Sequence, residues 1–185
     1  MNVYDFDETI YKGDSSIDFY KFCLIHKFRI IKYIPKQFKA MVLYKFKKID
    51  KTKMKESYFA FLKDINTEEF LKIFWNKKEK RIKKWYLEQK REDDLIISAS
   101  PVFLLKPICD KLEITNLIAS EVDSHTGKFL EKNCKGVEKV VQYKKIYKDK
   151  KIEEFYSDSY SDTPLAKLAE KAFIVKGNKR KQWKF

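Results

Sequence analysis

The chain has 185 residues, 41 Lys plus Arg against 27 Asp plus Glu, and a formal charge of +14 on a background that is 44% hydrophobic and 16% aromatic. Only 4 Gly and 4 Pro occur, about a third of average usage, which excludes a turn-dense all-β sandwich and a low-complexity disordered chain. Fifteen Phe, 11 Tyr and 3 Trp supply the apolar surface for one folded domain rich in helix.

The longest stretch without a charged residue, 95–105, is about half of the ~20 apolar residues that a membrane-spanning helix needs. Acids at Asp5, Asp7 and Glu8 argue against a signal peptide. Cys23, Cys109 and Cys134 are widely spaced with no CxxC pair, so they read as reduced, buried thiols of a cytoplasmic protein.

Residues 1–5 form a brief apolar run bounded by polar residues, the pattern of a buried strand. From 14 to 91 there is no glycine and one proline, Pro35. Apolar residues recur there at helical spacing through Phe28, Ile31, Ile34, Phe38, Met41, Val42, Phe46 and Ile49, and later through Phe59, Leu62, Phe70, Ile73 and Phe74. Asn66 with Glu69 reads as a capping box. The block is too long for an ordinary crossover and reads as an all-helical insertion. Further strands are expected at 94–98, 114–120, 153–157 and 172–175. Helices between them are expected from Ser100 as N-cap with Pro101 at the first helical position, to about Leu112, and from Thr163-Pro164 across 165–171. The alternation predicts an α/β fold, a doubly wound parallel sheet carrying the helical insertion.

The chemistry-bearing residues sit where strands end, which is where such sheets bind ligands. Asp5 and Asp7 stand two apart in Tyr4-Asp5-Phe6-Asp7-Glu8-Thr9 after the first strand. Ser98-Ala99-Ser100 presents hydroxyls before a helix start, whose free amides suit a phosphate, although an N-cap alone would explain Ser100. Asn133-Cys134-Lys135-Gly136 offers a cation, and Ser157-Asp158-Ser159-Tyr160-Ser161-Asp162 two more acids without the glycine of an EF-hand loop.

In this order the residues resemble the four motifs of the haloacid dehalogenase (HAD) superfamily, over residues 3 to 162. The insertion is similar to the C1-type helical cap of its phosphoserine phosphatase-like subfamily IB. The resemblance implies a HAD-like Rossmannoid core, 1–13 and 92–185, with a cap from 14 to 91 that closes over the site. It implies a Mg²⁺-dependent phosphatase with Asp5 as nucleophile and Asp7 as general acid and base. Ser98, the Ala99 amide and Lys135 would bind the phosphoryl group, with Lys135 also neutralising the nucleophile. The metal would take Asp5, Asp158 and the Asp7 carbonyl, with Asp162 supporting it or binding through water.

The substrate is the open half of the reading. In the phosphoserine phosphatase pattern an acid after the first motif and a cap arginine read serine; Asp14 stands near the acid's place, but the run Lys55 to Leu62 holds no arginine. Phosphoserine is therefore an alternative to another small or lipid-linked phosphomonoester. Eight cations and no acid lie between Lys27 and Lys48, interleaved with aromatic and aliphatic residues. Such a segment suits either a solvated cap helix or the anionic inner face of a membrane. Some relatives with this cap and a similar fourth motif resemble phosphatidylglycerophosphate phosphatases. The tail 176–185 holds five cations and no acid, but no recognition motif accompanies it, so nucleic acid is not expected. A non-catalytic, basic anion- or nucleic-acid-binding protein is the alternative of a different class. His26 and His125 are unpartnered and are not expected to bind metal or catalyse.

Overall fold

Val3 and Tyr4 are both fully buried, and a two-residue strand with no exposed face belongs at the centre of a sheet. The computed structural model, which describes residues 1–185, places this strand, β1, there. Five helices follow without an intervening strand: α1 (Ser15–His26), α2 (Ile34–Lys45), α3 (Lys51–Phe59), α4 (Thr67–Lys78) and α5 (Lys84–Gln89). The chain then alternates through β2 (Leu95–Pro101), α6 (Val102–Lys111), β3 (Asn116–Ser120), α7 (Val137–Tyr147), β4 (Ile152–Ser157), α8 (Thr163–Ala166), β5 (Ala169–Lys176) and β6 (Lys179–Gln182).

The sheet order is β3-β2-β1-β4-β5-β6, parallel throughout except for β6, which runs antiparallel to β5. This is the expected doubly wound α/β architecture. Because side chains alternate along a strand, the sheet feeds two cores. Tyr4 and Ile96 pack with Leu104, Leu105 and Ile108 of α6 and with Phe59, Phe74 and Trp75 from the helical insertion. Val3, Leu95 and Ile97 pack with Tyr143 of α7 and Leu165 of α8.

Two expectations are corrected. Ser100 and Pro101 are the last residues of β2 rather than the cap and first residue of a helix, and α6 begins at Val102 without a side-chain cap. Ser100 is engaged instead by a carboxylate described below. The run 165–171, expected as helix, splits after α8, because the ladder to β4 already starts at Ile152 opposite Ala169 and satisfies both backbones. The cationic tail supplies an unexpected sixth strand. Gly177, at φ +59°, turns β5 into β6, whose Lys-Arg-Lys-Gln run carries charge at an edge, where it discourages pairing with another chain.

Candidate active site

β1 ends at Tyr4, and Asp5 still donates its N–H to the Tyr156 carbonyl of β4 at 2.8 Å. Beyond it the chain folds back tightly: the Phe6 carbonyl accepts the N–H groups of Ile10 and Tyr11, and Lys83 donates to the Glu8 carbonyl at 2.5 Å. Asp5 and Asp7 are thereby fixed at the carboxyl end of the sheet. Asp7 is held on both oxygens: Oδ1 accepts the Ser15 N–H at 2.6 Å and Oδ2 the Ser100 hydroxyl at 2.5 Å. The Ser100 N–H in turn donates to Ser98 Oγ at 3.1 Å. Across the sheet, the Asp158 N–H donates to Thr9 Oγ1 at 2.9 Å, joining the loops after β1 and β4.

The cation beside Asp5 is Lys139. Its ammonium lies 2.8 Å from Asp5 Oδ1 and 2.7 Å from Asp162 Oδ2, while Ser157 Oγ donates to the same Asp162 oxygen at 2.9 Å. Lys135, expected in this place, lines the same cavity but forms no ion pair, whereas Lys139 forms two. The reason is local geometry. Gly136, at φ +59°, turns the chain into α7, and the first turn of that helix carries Lys139 onto its buried face with Tyr143. The other anticipated residues, Ser98, Ala99, Asp14, Asp158 and Asp162, all line one cavity of about 460 Å³ with Asp5 and Asp7. Asp14 also caps α1 by accepting the Ile17 N–H at 2.9 Å. Neither histidine lines the cavity, and all three cysteines are free and buried.

Burial dominates the electrostatics. It pushes Asp5 up to about 7 against the opposing pull of Lys139, with the Asp162 charge adding to the rise. Asp7 is pushed up to about 6 by burial and by the charge of Asp14, and Asp158 is raised by burial as well. Lys139 is desolvated too, but its two carboxylates outweigh that and hold it protonated. Asp5 and Asp162 thus share one ammonium while Asp7 and Asp158 line the same cavity without an ion pair, an excess of negative charge.

The donors fit a hard cation. No three His, Cys, Asp or Glu side chains form a ready-made cage, but Mg²⁺ is held by one or two carboxylates with the rest of its shell from water and phosphate. Asp5 and the side chain of Asp158, which has no partner side chain, meet that requirement without a third carboxylate.

The haloacid dehalogenase-like hydrolase family model matches residues 3–167. The chain belongs to this family. Among solved structures, the HAD-like chain resembles a protein of unknown function from Bordetella pertussis Tohama I at 17% identity and TM-score 0.79, covering 93% of this chain and 87% of that one. A phosphoserine phosphohydrolase-like protein from Francisella tularensis subsp. tularensis SCHU S4 is 20% identical with TM-score 0.59, over 93% and 86% of the two chains. A phosphoserine phosphatase caught as a phospho-aspartyl intermediate analogue is 17% identical with TM-score 0.51, over 92% and 83%. No curated protein matches this sequence significantly. At these identities the shared feature is the fold.

Sequence reading missed Lys139 and Lys55, and it took Ser100 for a helix cap rather than a partner of Asp7. Lys55 of α3 donates to the Ala99 carbonyl at 2.7 Å and to Asn133 Oδ1 at 2.9 Å, tying the helical insertion to the end of β2 and to the loop before α7. A lysine on an otherwise apolar helix face is the one signal that points to Lys139; nothing in the sequence marks Lys55.

Proposed function

We propose that this HAD hydrolase is a Mg²⁺-dependent phosphomonoester hydrolase acting through an aspartyl-phosphate. The observation that carries the reading is the convergence of Asp5, Asp7, Ser98, Lys139 and Asp158 on one cavity at the carboxyl end of a parallel sheet. An Asp5 oxygen attacks phosphorus while the P–O bond to the alcohol breaks, and Asp7 gives its proton to the departing oxygen. A water then attacks the phosphoryl group on Asp5, Asp7 takes the water's proton, and inorganic phosphate leaves with Asp5 restored. Asp7, held at about 6, can serve as acid and then base near neutrality. The Ser98 hydroxyl and Ala99 amide orient the phosphoryl oxygens, and Lys139 steadies Asp5. Mg²⁺, held by Asp5, Asp158 and the Asp7 carbonyl with Asp162 behind them, would neutralise phosphate charge that otherwise repels the carboxylates.

The segment 14–91 acts as a cap that excludes water and selects the ester, with 1–13 and 92–185 as the catalytic core. The substrate is a small or lipid-linked phosphomonoester, with phosphoserine as the alternative. Phosphate release with Mg²⁺ from phosphoserine, other small phosphomonoesters and phosphatidylglycerophosphate in micelles tests this. Release from at least one, abolished by a chelator and restored by Mg²⁺, is the expected result; no release from any, nor from an aryl phosphate, refutes it.

A second observation bears on where the enzyme works. Phe28, Phe38 and Phe46 are 71%, 62% and 69% exposed, and Ile34, Phe38, Met41 and Val42 form an exposed apolar stripe along α2 among Lys36, Lys39 and Lys45. No helix is long and apolar enough to cross a membrane. An exposed apolar stripe flanked by cations complements an anionic lipid surface, each cation contributing about 1 kcal/mol. We infer peripheral contact with the cytoplasmic face of such a membrane. Co-sedimentation with phosphatidylglycerol-containing vesicles should fall about a hundredfold when Lys36, Lys39 and Lys45 become Glu. Equal sedimentation with pure phosphatidylcholine, or none at low salt, rules this contact out.

A further inference from the structure

The cavity is lined by charge of both signs. Asp5 and Asp162 hold Lys139 between them at the end of the sheet and Asp7 and Asp158 line the same cavity, whereas Lys51, Lys55 and Lys135 line it with Asp14 as the acid that reaches Lys51 and Lys55 most. Lys51 precedes Lys55 by four residues on α3, so both project from one face of that helix. Lys135 comes from the opposite side, two residues after the Asn133 that Lys55 grips. None of the three ammonium groups forms an ion pair; in contrast, Lys139 in the same cavity is doubly paired.

Each lysine answers differently to its surroundings. Lys55 has a structural task, holding the Ala99 carbonyl and Asn133, themselves joined through Ser120 Oγ at 3.1 Å from each. Lys51 and Lys135 have none. Burial, followed by the facing Lys135, pushes Lys51 down to about 8, and burial brings Lys55 to about 8 as well. The carboxylates that chiefly reach them are Asp14 for both and Asp7 for Lys55. Asp14 has one oxygen committed to the Ile17 N–H. Two cations facing one another without an ion pair, in the cavity that holds the phosphate-binding residues, disfavour the empty state and favour any ligand that puts negative charge between them.

We propose that Lys51 and Lys135 form a second-anion subsite, so that the preferred substrate is a phosphomonoester whose alcohol half bears another anionic group, a carboxylate or a phosphate. The inference rests on the phosphomonoester hydrolase reading for its first anion and deepens it by naming the substrate class. It also gives Lys135 a role: it reads the leaving group, while Lys139 attends to the nucleophile. The reacting phosphate would lie against Ser98 and Ala99, with Lys55 placed between the two anion positions.

Three esters with a common three-carbon skeleton test it: glycerol 3-phosphate, 3-phosphoglycerate and glycerol 1,3-bisphosphate. With Mg²⁺, kcat/KM should be at least tenfold higher for one of the two doubly anionic esters than for glycerol 3-phosphate. The double variant Lys51→Ala, Lys135→Ala should lose at least ten times more of kcat/KM on that ester than on glycerol 3-phosphate, chiefly through KM, and Lys51→Arg with Lys135→Arg should recover most of it. Equal kcat/KM on all three esters, or equal losses in the variant, overturns the subsite and leaves the phosphatase reading standing. Calorimetric binding of the same esters to Asp5→Asn protein decides the subsite without turnover. Tighter binding of a doubly anionic ester, weakened by the two alanines, upholds the subsite even if no ester is hydrolysed, an outcome that would sink the phosphatase reading alone.

Discussion

Asp5→Asn protein releases no measurable phosphate, with kcat at least about four orders of magnitude below the wild type, because an amide oxygen cannot accept the phosphoryl group and return it to water. The same substitution leaves the fold intact. Asn has the shape of Asp, Lys139 keeps Asp162 as partner at 2.7 Å, and the Asp5 N–H still reaches the Tyr156 carbonyl. Burial holds Asp5 up at about 7, above its ordinary value, so at pH 7.5 the folded protein bears a cost for keeping that carboxylate charged. Removing the charge removes the cost. The melting temperature of the variant at pH 7.5 should therefore equal or exceed that of the wild type, a trade between stability and activity usual for catalytic groups. Phosphate release and thermal melting on the same preparation check both halves. Loss of activity accompanied by a large fall in melting temperature would show that Asp5 is a structural anchor instead.

How much of this was legible beforehand depends on whether a residue's place is set locally or by packing. Asp5, Asp7, Ser98 and Asp158 follow directly from strand ends, and a strand end can be read from a short apolar run bounded by polar residues. The doubly wound sheet follows from their alternation with helices. Lys139 was harder because Lys132, Lys135 and Lys139 are all near the right place, and which one turns inward depends on where Gly136 starts α7. One clue was present. Lys139, Tyr143 and Tyr147 recur every four residues, so a single lysine shares the apolar face of a helix. The end of β2 was misplaced for a different reason: Ser100-Pro101 is a good helix start on local propensity, but the Asp7 carboxylate and the β3 ladder capture it. β6 lacked any apolar signature, and only the Gly177-Asn178 turn announced it. The contacts of Lys55 reach 44 and 78 residues along the chain, the facing of Lys51 and Lys135 joins the same distant segments, and no local pattern records such a meeting.

The contrast between the two lysines gives the second large effect. Lys139→Ala removes the only ammonium from between Asp5 and Asp162, both of which remain buried. Breaking a buried ion pair from one side costs about 3–5 kcal/mol, since the abandoned carboxylates are left without a counter-charge, Asp162 keeping only the Ser157 hydroxyl. For a domain of this size that lowers the melting temperature by roughly 10 °C, and the loss of charge stabilisation lowers kcat by about two to three orders of magnitude. Lys135→Ala removes an exposed side chain with no ion pair, so its stability should stay within about 0.5 kcal/mol of the wild type. Added Mg²⁺ offers a further discrimination: a cation near Asp5 replaces part of the charge lost with Lys139, so millimolar Mg²⁺ should raise the melting temperature of Lys139→Ala more than that of the wild type. Should Lys135→Ala prove the more destabilised and the less active of the two, the pairing of Lys139 with Asp5 would not be what organises this site.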